Sequence, residues 1–470
     1  MKTVLISLLL VFLACSSPQS KTAVDEKHPP LALHPDNSHY FLFRGKPAML
    51  ITSGEHYGAV LNLDFDYTRY LDELQAHGLN LTRTWVGSYR EIPSSFGITG
   101  NTLAPLPGRY VCPWARSAEP GNFDGGAKFD LNRWDEIYFS RLRDFMTQAS
   151  SRGVVVELNL FCPNYNDSLW LASPMHTGNN INSVGNCPAD EPYTLKHPEL
   201  QAVQEALVRK AVAELRDFDN LYYEVCNEPY FGGVTVEWQH RIADVIVEAE
   251  RDFPRRHLIS MNIANGRALV ENPHPAVSIF NFHYCQPPDV VAQNWALNRV
   301  IGENETGFRG QADSTYRSEG WDFILAGGAL YNNLDYSFSA GHPDGSLSGY
   351  VSPGGGSLEL RKQLGILSRF VRSFDFVRMA PDSSVVAGGV PEGATTRTLA
   401  EPGRQYALYL HGGTQANLEL ALPAGSYVFE WLDTKTGVVV AGGNIEHAGG
   451  AAVLGSPQYE TDIALGIRSR

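Results

Sequence analysis

Apolar positions between residues 47 and 372 follow two alternating rhythms. Short apolar runs are each followed by a segment whose apolar residues return every three or four positions, the signatures of buried strands and amphipathic helices. Pro47–Ser53, Leu79–Val86, Val154–Phe161, Leu221–Cys226, His257–Ile263, Val277–His283, Arg299–Glu305 and Gly328–Phe338 read as strands. Asp64–His77, which Gly78 ends, reads as the first helix, followed by Asn132–Arg152, Glu199–Arg216, Val236–Arg251, Asp289–Trp295, Tyr316–Ala326 and Leu358–Arg372. The connection after the fifth strand is short and poorly marked. Strands that alternate with helices predict a parallel sheet with right-handed crossovers. Eight such units over roughly 330 residues fit a (β/α)8 TIM barrel with insertions. An open doubly wound sheet is the alternative, but no GxGxxG follows the first strand and no Walker loop occurs. The longest loops, 87–130 and 162–196, follow strands two and three and would wall the C-terminal face, where barrels carry their chemistry.

After about Ser373 the helical rhythm stops. Short alternating runs separated by Gly, Pro, Asn and Asp take over: Tyr406–Leu410, Asn417–Leu422, Ser426–Leu432, Gly437–Ala441, Ala451–Leu454 and Ile463–Ile467. They predict a small C-terminal antiparallel β-sandwich. The start of the chain differs again. A lysine at position 2 precedes the apolar run Val4–Ala14, which is too short to span a bilayer but has the length of a signal-peptide core. Ala14-Cys15 and the tether Ser16–Ser20 look like a bacterial lipoprotein cleavage site, so export is expected, with Cys15 as a lipid anchor and plain secretion as the alternative. The expected organisation is a leader over 1–20, a barrel over 30–375 and a sandwich over 376–470.

Composition narrows the class of partner. The 470 residues carry 51 acidic and 37 basic side chains, a formal net charge of −14, and 11% of them are aromatic. That balance disfavours nucleic acid, whose binding rests on Lys and Arg neutralising phosphates. Sparse charge beside many aromatic rings suits a neutral, polar, flat-faced ligand such as a sugar. Among the six cysteines, Cys162 and Cys187 share one long loop and are the expected disulfide, while Cys226 reads as a packed thiol. No CxxC or Cys/His metal spacing occurs, and neither a metal nor a cofactor is expected.

The chemistry-bearing residues fall at strand ends. The fourth strand closes on Asn227-Glu228-Pro229 and the seventh on Gly302-Glu303-Asn304-Glu305-Thr306-Gly307. A strand ending in Asn-Glu-Pro resembles the clan A glycoside hydrolases, the (β/α)8 superfamily that includes cellulases and mannanases. The tripeptide alone is also a turn that ends a strand; its place on the fourth of eight strands favours the resemblance. That resemblance implies that Glu228 is a general acid/base and that Asn227 holds a sugar hydroxyl. Such an acid works near neutral pH when a low-dielectric cleft raises its pKa.

The resemblance also implies a nucleophile at the end of strand seven. Glu303 and Glu305 are two apart, which places them on one face of a regular strand. Glu305-Thr306-Gly307 fits the family's Glu-x-Gly pattern and Glu305 lies nearer the mouth; Gly302-Glu303 is the alternative, and Glu303 is otherwise a supporting or substrate-contacting acid. Arg83, in the second strand, matches the clan's Arg that keeps the nucleophile ionised, and His283-Tyr284 closes strand six, where the clan places a His and a Tyr. Glu55, His56, Trp85, Asn333 and Asp335 are candidate substrate contacts, and Trp114, Trp321, Asn332 and Tyr336 are further candidates for subsite walls. Strand eight lacks the Trp that floors the first subsite in cellulase-like enzymes, which argues against cellulose.

The segments Leu42–Pro47, Gly403–Tyr409 and Gly425–Trp431 are similar to bacterial barrels related to apiosidases, whose C-terminal sandwich carries a collagen-binding label. The implied activity is retaining hydrolysis of O-glycosidic bonds in a plant or microbial polysaccharide or oligosaccharide. A non-catalytic carbohydrate-binding protein on a barrel scaffold is the rival, and a metal-dependent barrel lyase or isomerase the more distant one.

Overall fold

The computed structural model describes residues 28–470; the expected leader and Cys15 lie outside the described residues. All eight expected barrel strands form: β1 (Leu50–Gly54), β2 (Leu81–Trp85), β3 (Val155–Asn159), β4 (Leu221–Glu224), β5 (Leu258–Asn265), β6 (Val277–His283), β7 (Val300–Glu305) and β8 (Leu330–Leu334). They pair in parallel in the sheet order β1-β8-β7-β6-β5-β4-β3-β2. The β1–β2 seam is closed by Asn80 instead of a regular ladder. Its backbone N–H donates to Ile51 O (3.2 Å), its Oδ1 accepts from Ile51 N (2.9 Å), and its Nδ2 donates to Met49 O (3.0 Å).

The helices are α1 (Tyr67–Ala76), α2 (Glu136–Ser151), α3 (Asp167–Ala172), α4 (Pro198–Leu215), α5 (Val236–Ala249), α6 (Asp289–Asn294), α7 (Asp313–Leu325) and α8 (Leu358–Arg372). The second helix starts later than its apolar rhythm suggests. Asp135 accepts from the Ile137 and Tyr138 amides and fixes the N-terminus there. The preceding residues instead pair in an unexpected hairpin, Trp114–Pro120 with Ala127–Trp134, which stiffens the first long loop.

A register shift in β7 sets the site. Phe282 pairs with Glu303 and the next residue, His283, pairs with Glu305, so Asn304 is the extra residue of a bulge. Alternation breaks at that point. Asn304 points into the barrel, where its Nδ2 donates to Glu157 and Glu224 (both 2.9 Å). Glu305 points to the mouth, and Glu303 faces the helical layer. The expectation that Glu303 and Glu305 share a face is therefore corrected: it assumed a regular strand.

Beyond α8 the chain forms antiparallel sheets. Six strands pair in the order Ala380–Pro381, Thr395–Glu401, Gln405–His411, Asp462–Ser469, Gly425–Leu432, Val439–His447, and three in the order Val386–Gly388, Asn417–Leu422, Gly450–Gly455. Leu408, Leu410, Leu418, Leu420, Trp431 and Leu465 fill the space between them. Thr395–Glu401, which carries few apolar residues, was not among the expected strands. These sheets dock on α7. Arg317 donates to both oxygens of Asp462 (2.6 and 3.2 Å), with both side chains buried, and Trp321 stacks on Tyr409 at 5.5 Å. Trp321 thus belongs to this junction and not to a subsite, and Trp114 is packed away in the hairpin. The cysteines Cys112, Cys162, Cys187, Cys226 and Cys285 are all free, which corrects the expected Cys162–Cys187 bridge. The Cys162 thiol instead turns inward to Tyr165 Oη (3.7 Å).

Candidate active site

Three of the strand ends deliver their side chains from left-handed backbone: Tyr57 (φ 62°), Glu228 (φ 36°) and Tyr284 (φ 56°). For a residue with a Cβ this conformation costs roughly 1–2 kcal/mol and persists only where the surroundings impose it. Here each turn aims a polar side chain over the barrel mouth.

Glu305 is held by three donors. Tyr57 Oη (2.7 Å) and Arg83 Nη1 (3.1 Å) donate to Oε2, and Tyr284 Oη (2.7 Å) donates to Oε1. Arg83 is buried in the barrel axis and reaches four acceptors. Besides Glu305 it donates to Glu157 (2.5 Å), to Glu224 and to Asn227 Oδ1 (2.7 Å). Burial, with Glu224 beside it, pushes the Glu157 carboxyl up to about 8, so a proton is retained in this cluster at neutral pH.

Glu228 stands across the pocket. Tyr165 Oη (2.5 Å) and Tyr230 Oη (3.3 Å) donate to it, and His283 Nδ1 lies 3.3 Å from Oε1. Burial pushes this carboxyl up, but His283 and the two tyrosines outweigh it and hold Glu228 below the usual carboxylate range. Burial likewise lowers His283, and Glu305 and Glu228 reverse this and raise it. Glu228 is thus held down and its neighbour His283 up, which corrects the expectation that the cleft raises Glu228.

Donor atoms of Glu228, His283 and Glu305 lie within 4.8 Å of one another. A cation could bridge that spacing, but both Glu305 oxygens already accept from Tyr57, Arg83 and Tyr284, and Arg83 is itself a permanent cation in contact. The donor set suits attack at an electrophilic carbon by one carboxylate and proton transfer by the other.

The pocket encloses about 200 Å³. Tyr57, Trp85, Tyr336 and Tyr284 line it together with Asn227, Glu228 and Glu305, and Phe96, Phe231, Phe308 and Pro353 form its lip. Phe308 is 69% exposed and Phe96 47%, so the rim presents aromatic faces to an incoming ligand. His56 and Glu91 form one end. Burial lowers His56, but Glu91, 3.3 Å from its Nε2, overrides this and raises it. Near the rim the loops after β2 and β8 meet: Thr99 N donates to Val351 O (2.9 Å) and Val351 N to Thr99 Oγ1 (3.1 Å).

Of the expected site residues, Arg83, Asn227, Glu228, His283, Tyr284 and Glu305 converge here, and His56 and Trp85 line the pocket. Four others do not reach it. Glu55 is buried and caps the turn after β1, accepting from Ala59 N (2.9 Å) and Thr102 Oγ1 (2.6 Å). Asn333 ties Ser53 to Thr306 (2.9 and 2.8 Å). Asp335 is paired with Arg361 (2.9 Å) and Ser53 (2.8 Å). Glu303 accepts from Cys285 N (2.5 Å) on the far side of β7. In each case a nearby backbone amide, hydroxyl or guanidinium takes the carboxylate or amide away from the mouth.

Glu91, Tyr165 and Tyr230 are site residues that the sequence reading missed, as are Glu157, Glu224 and Asn304 beneath them. Glu157 and Glu224 had a visible signal: each is a lone acid inside an apolar strand run.

Comparisons with known proteins bear on the fold. A profile of a family described as a domain of unknown function (DUF6298) matches residues 98–267. No curated protein matches the chain. Among solved structures, the chain is similar to one from Bacteroides vulgatus described as a proposed glycoside hydrolase, with 14% identity, 95% of this chain and 84% of that one covered, and a TM-score of 0.66. It is also similar to a glycoside hydrolase family 5 structure from the same organism, with 14% identity, coverage of 94% and 95%, and a TM-score of 0.62. A third, described only as a glycoside hydrolase, has 13% identity, coverage of 94% and 97%, and a TM-score of 0.61. The chain therefore shares its architecture with glycoside hydrolases along almost its whole length, and at these identities the likeness is one of fold.

Proposed function

We propose that this protein is a retaining glycoside hydrolase with Glu305 as nucleophile and Glu228 as acid/base. The observation that carries the reading is the approach of the two carboxylates within 4.8 Å of each other at the mouth of the barrel. Retaining enzymes hold the pair about 5–5.5 Å apart, whereas inverting ones leave about 6.5–9.5 Å for a water. Glu305, which accepts from Arg83, attacks the anomeric carbon as the glycosidic C–O bond breaks. The proton held between His283 and Glu228 passes through Glu228 to the leaving oxygen. Glu228 then takes a proton from water, whose oxygen displaces Glu305 and frees the sugar. Proton NMR of the first anomer released tests this: retained configuration is expected, and an inverted product overturns it.

The small volume favours release of single terminal sugars from a plant or microbial glycan. Labelled oligosaccharides that yield internal fragments would refute exo action. Within clan A, Leu42–Pro47 and the C-terminal segments support a place beside the apiosidase-related group, which release of apiose from an aryl apioside tests. Export with Cys15 lipidated is part of the same proposal, resting on Ala14-Cys15 and its polar tether; a protein that stays soluble and unmodified in the producing cell refutes it.

A further inference from the structure

Behind the nucleophile lies a second pair of acids that the proposed reaction does not use. Glu303 leaves β7 on the face opposite Glu305 and is wholly buried against α7, where Glu319 is its neighbour. One Glu303 oxygen accepts from Cys285 N at 2.5 Å. The other Glu303 oxygen and both Glu319 oxygens are buried and receive no hydrogen bond from any donor among the described residues. Three buried carboxylate oxygens without a hydrogen bond, one of them within ion-pair reach of Arg309, would carry a large desolvation cost. A proton held between the two carboxyls removes it, because one acid then donates to the other. The groups facing the pair are Arg309, whose Nη1 is 3.6 Å from Glu319, Asp322 on the same helix, Tyr331 on β8, Tyr316 and the Cys285 thiol. Only Arg309 is cationic, and it is half-exposed.

The bond to Cys285 N links this pair to the site. Cys285 follows Tyr284, whose backbone is left-handed (φ 56°), whose N–H donates to Glu305 O (3.1 Å) and whose hydroxyl donates to Glu305 Oε1 (2.7 Å). A strained turn that places one hydroxyl on the nucleophile needs an anchor on its far side, and Glu303 is bonded to the very next amide. We propose that Glu303 and Glu319 share one proton and act as that anchor, so that Glu303 is a positioning residue which sets Tyr284 against Glu305. The inference rests on the reading of Glu305 as nucleophile.

The test uses the full chain and an aryl glycoside that the wild type cleaves. Glu303→Ala is expected to lower kcat about 10- to 100-fold, the scale of one hydrogen bond to a charged group, with KM within about threefold. Glu303→Gln is expected to restore most of that loss, since its carbonyl still accepts from Cys285 N and its amide donates to Glu319. Gln as inactive as Ala, or Ala without effect, overturns the proposal. Should Glu303→Ala fold poorly, Tyr284→Phe alone and combined with the similarly shaped Glu303→Met, which cannot accept from Cys285 N, in a double-mutant cycle replaces it: coupled effects support the anchor and fully additive ones refute it. A proton titration of the folded wild type separates the two levels. One proton retained above pH 6 and absent in Glu303→Gln supports the shared proton even if no glycoside is cleaved, in which case only the hydrolase reading fails. No such difference refutes the pair.

Discussion

Glu303 and Glu305 stand two residues apart on one strand and have opposite surroundings. Glu305 meets a guanidinium and two phenols, which hold its oxygens at the mouth. Glu303 meets another acid and one amide, and burial, with Glu319 beside it, pushes it well above the usual carboxylate range. A single bulge residue, Asn304, separates the two environments. What separates the proposed nucleophile from its neighbour is the donor set that the strand register presents to each.

The sharpest way to break this comparison is to exchange the roles by mutation. Glu305→Gln is expected to lower kcat by at least ~10³-fold, as loss of a covalent nucleophile does, while Glu303→Gln stays within roughly tenfold of wild type. Steady-state rates on one aryl glycoside decide it, and the reverse order would make Glu303 the nucleophile. Glu228→Gln should cost about 10²–10⁴-fold on sugars with poor leaving groups and much less on nitrophenyl glycosides, which need no protonation. A leaving-group series measures this, and an equal loss across the series would remove Glu228 from the acid role.

Arg83→Met should strike both structure and chemistry. It leaves Glu157, Glu224 and Glu305 without their shared cation, and breaking a buried pair in this way costs about 3–5 kcal/mol. Denaturant unfolding reads the loss, and a variant of wild-type stability would contradict the central place of Arg83.

The smallest effects are in pH. His283 is raised, so the proton stored beside Glu228 is present below the ordinary histidine range and is lost as pH rises through the raised value. The alkaline limb of kcat/KM should therefore lie above pH 6.5, the usual His value, and a limb below it would refute proton storage on His283. Raised carboxyls act on stability in the opposite sense to ordinary paired acids. Glu55 and Glu319, pushed up to about 7 chiefly by burial, and Glu157, pushed up to about 8, hold protons that the unfolded chain releases above its own carboxylate pKa. Stability is thus expected to fall as pH rises from about 4.5 toward 8, by up to ~1.4 kcal/mol per pH unit for each proton. Melting temperatures across that range test it, and Glu303→Gln should remove part of the slope.

Much of this was legible in the sequence. Apolar rhythm alone placed all eight barrel strands, and the strand ends carried Glu228, Glu305, Arg83 and His283-Tyr284. The rest depended on contacts that no spacing encodes. The bulge at Asn304 arises from pairing with β6, so a regular alternation put Glu303 on the wrong face. Glu55 and Asp335 sit at strand ends as catalytic acids do, yet backbone amides and Arg361 bind them first. Tyr165 reaches Glu228 from a long loop, and loop conformation follows from tertiary contacts such as its edge-on packing with Phe96 (5.3 Å).

The junction at α7 has a consequence for how this chain can be cut or recombined. Leu399, Ala407, Tyr409 and Ala464 belong to the same apolar cluster as the barrel interior, and Arg317 has its anionic partner in Asp462. The C-terminal sheets are therefore no cassette to be exchanged between enzymes. A chain ended after residue 375 would bare Trp321 and leave the Arg317 guanidinium without Asp462, removing both the apolar contact and the ion pair of the junction. Calorimetry of the intact protein should accordingly show one cooperative endotherm, and two separated ones would mean that the halves stand alone.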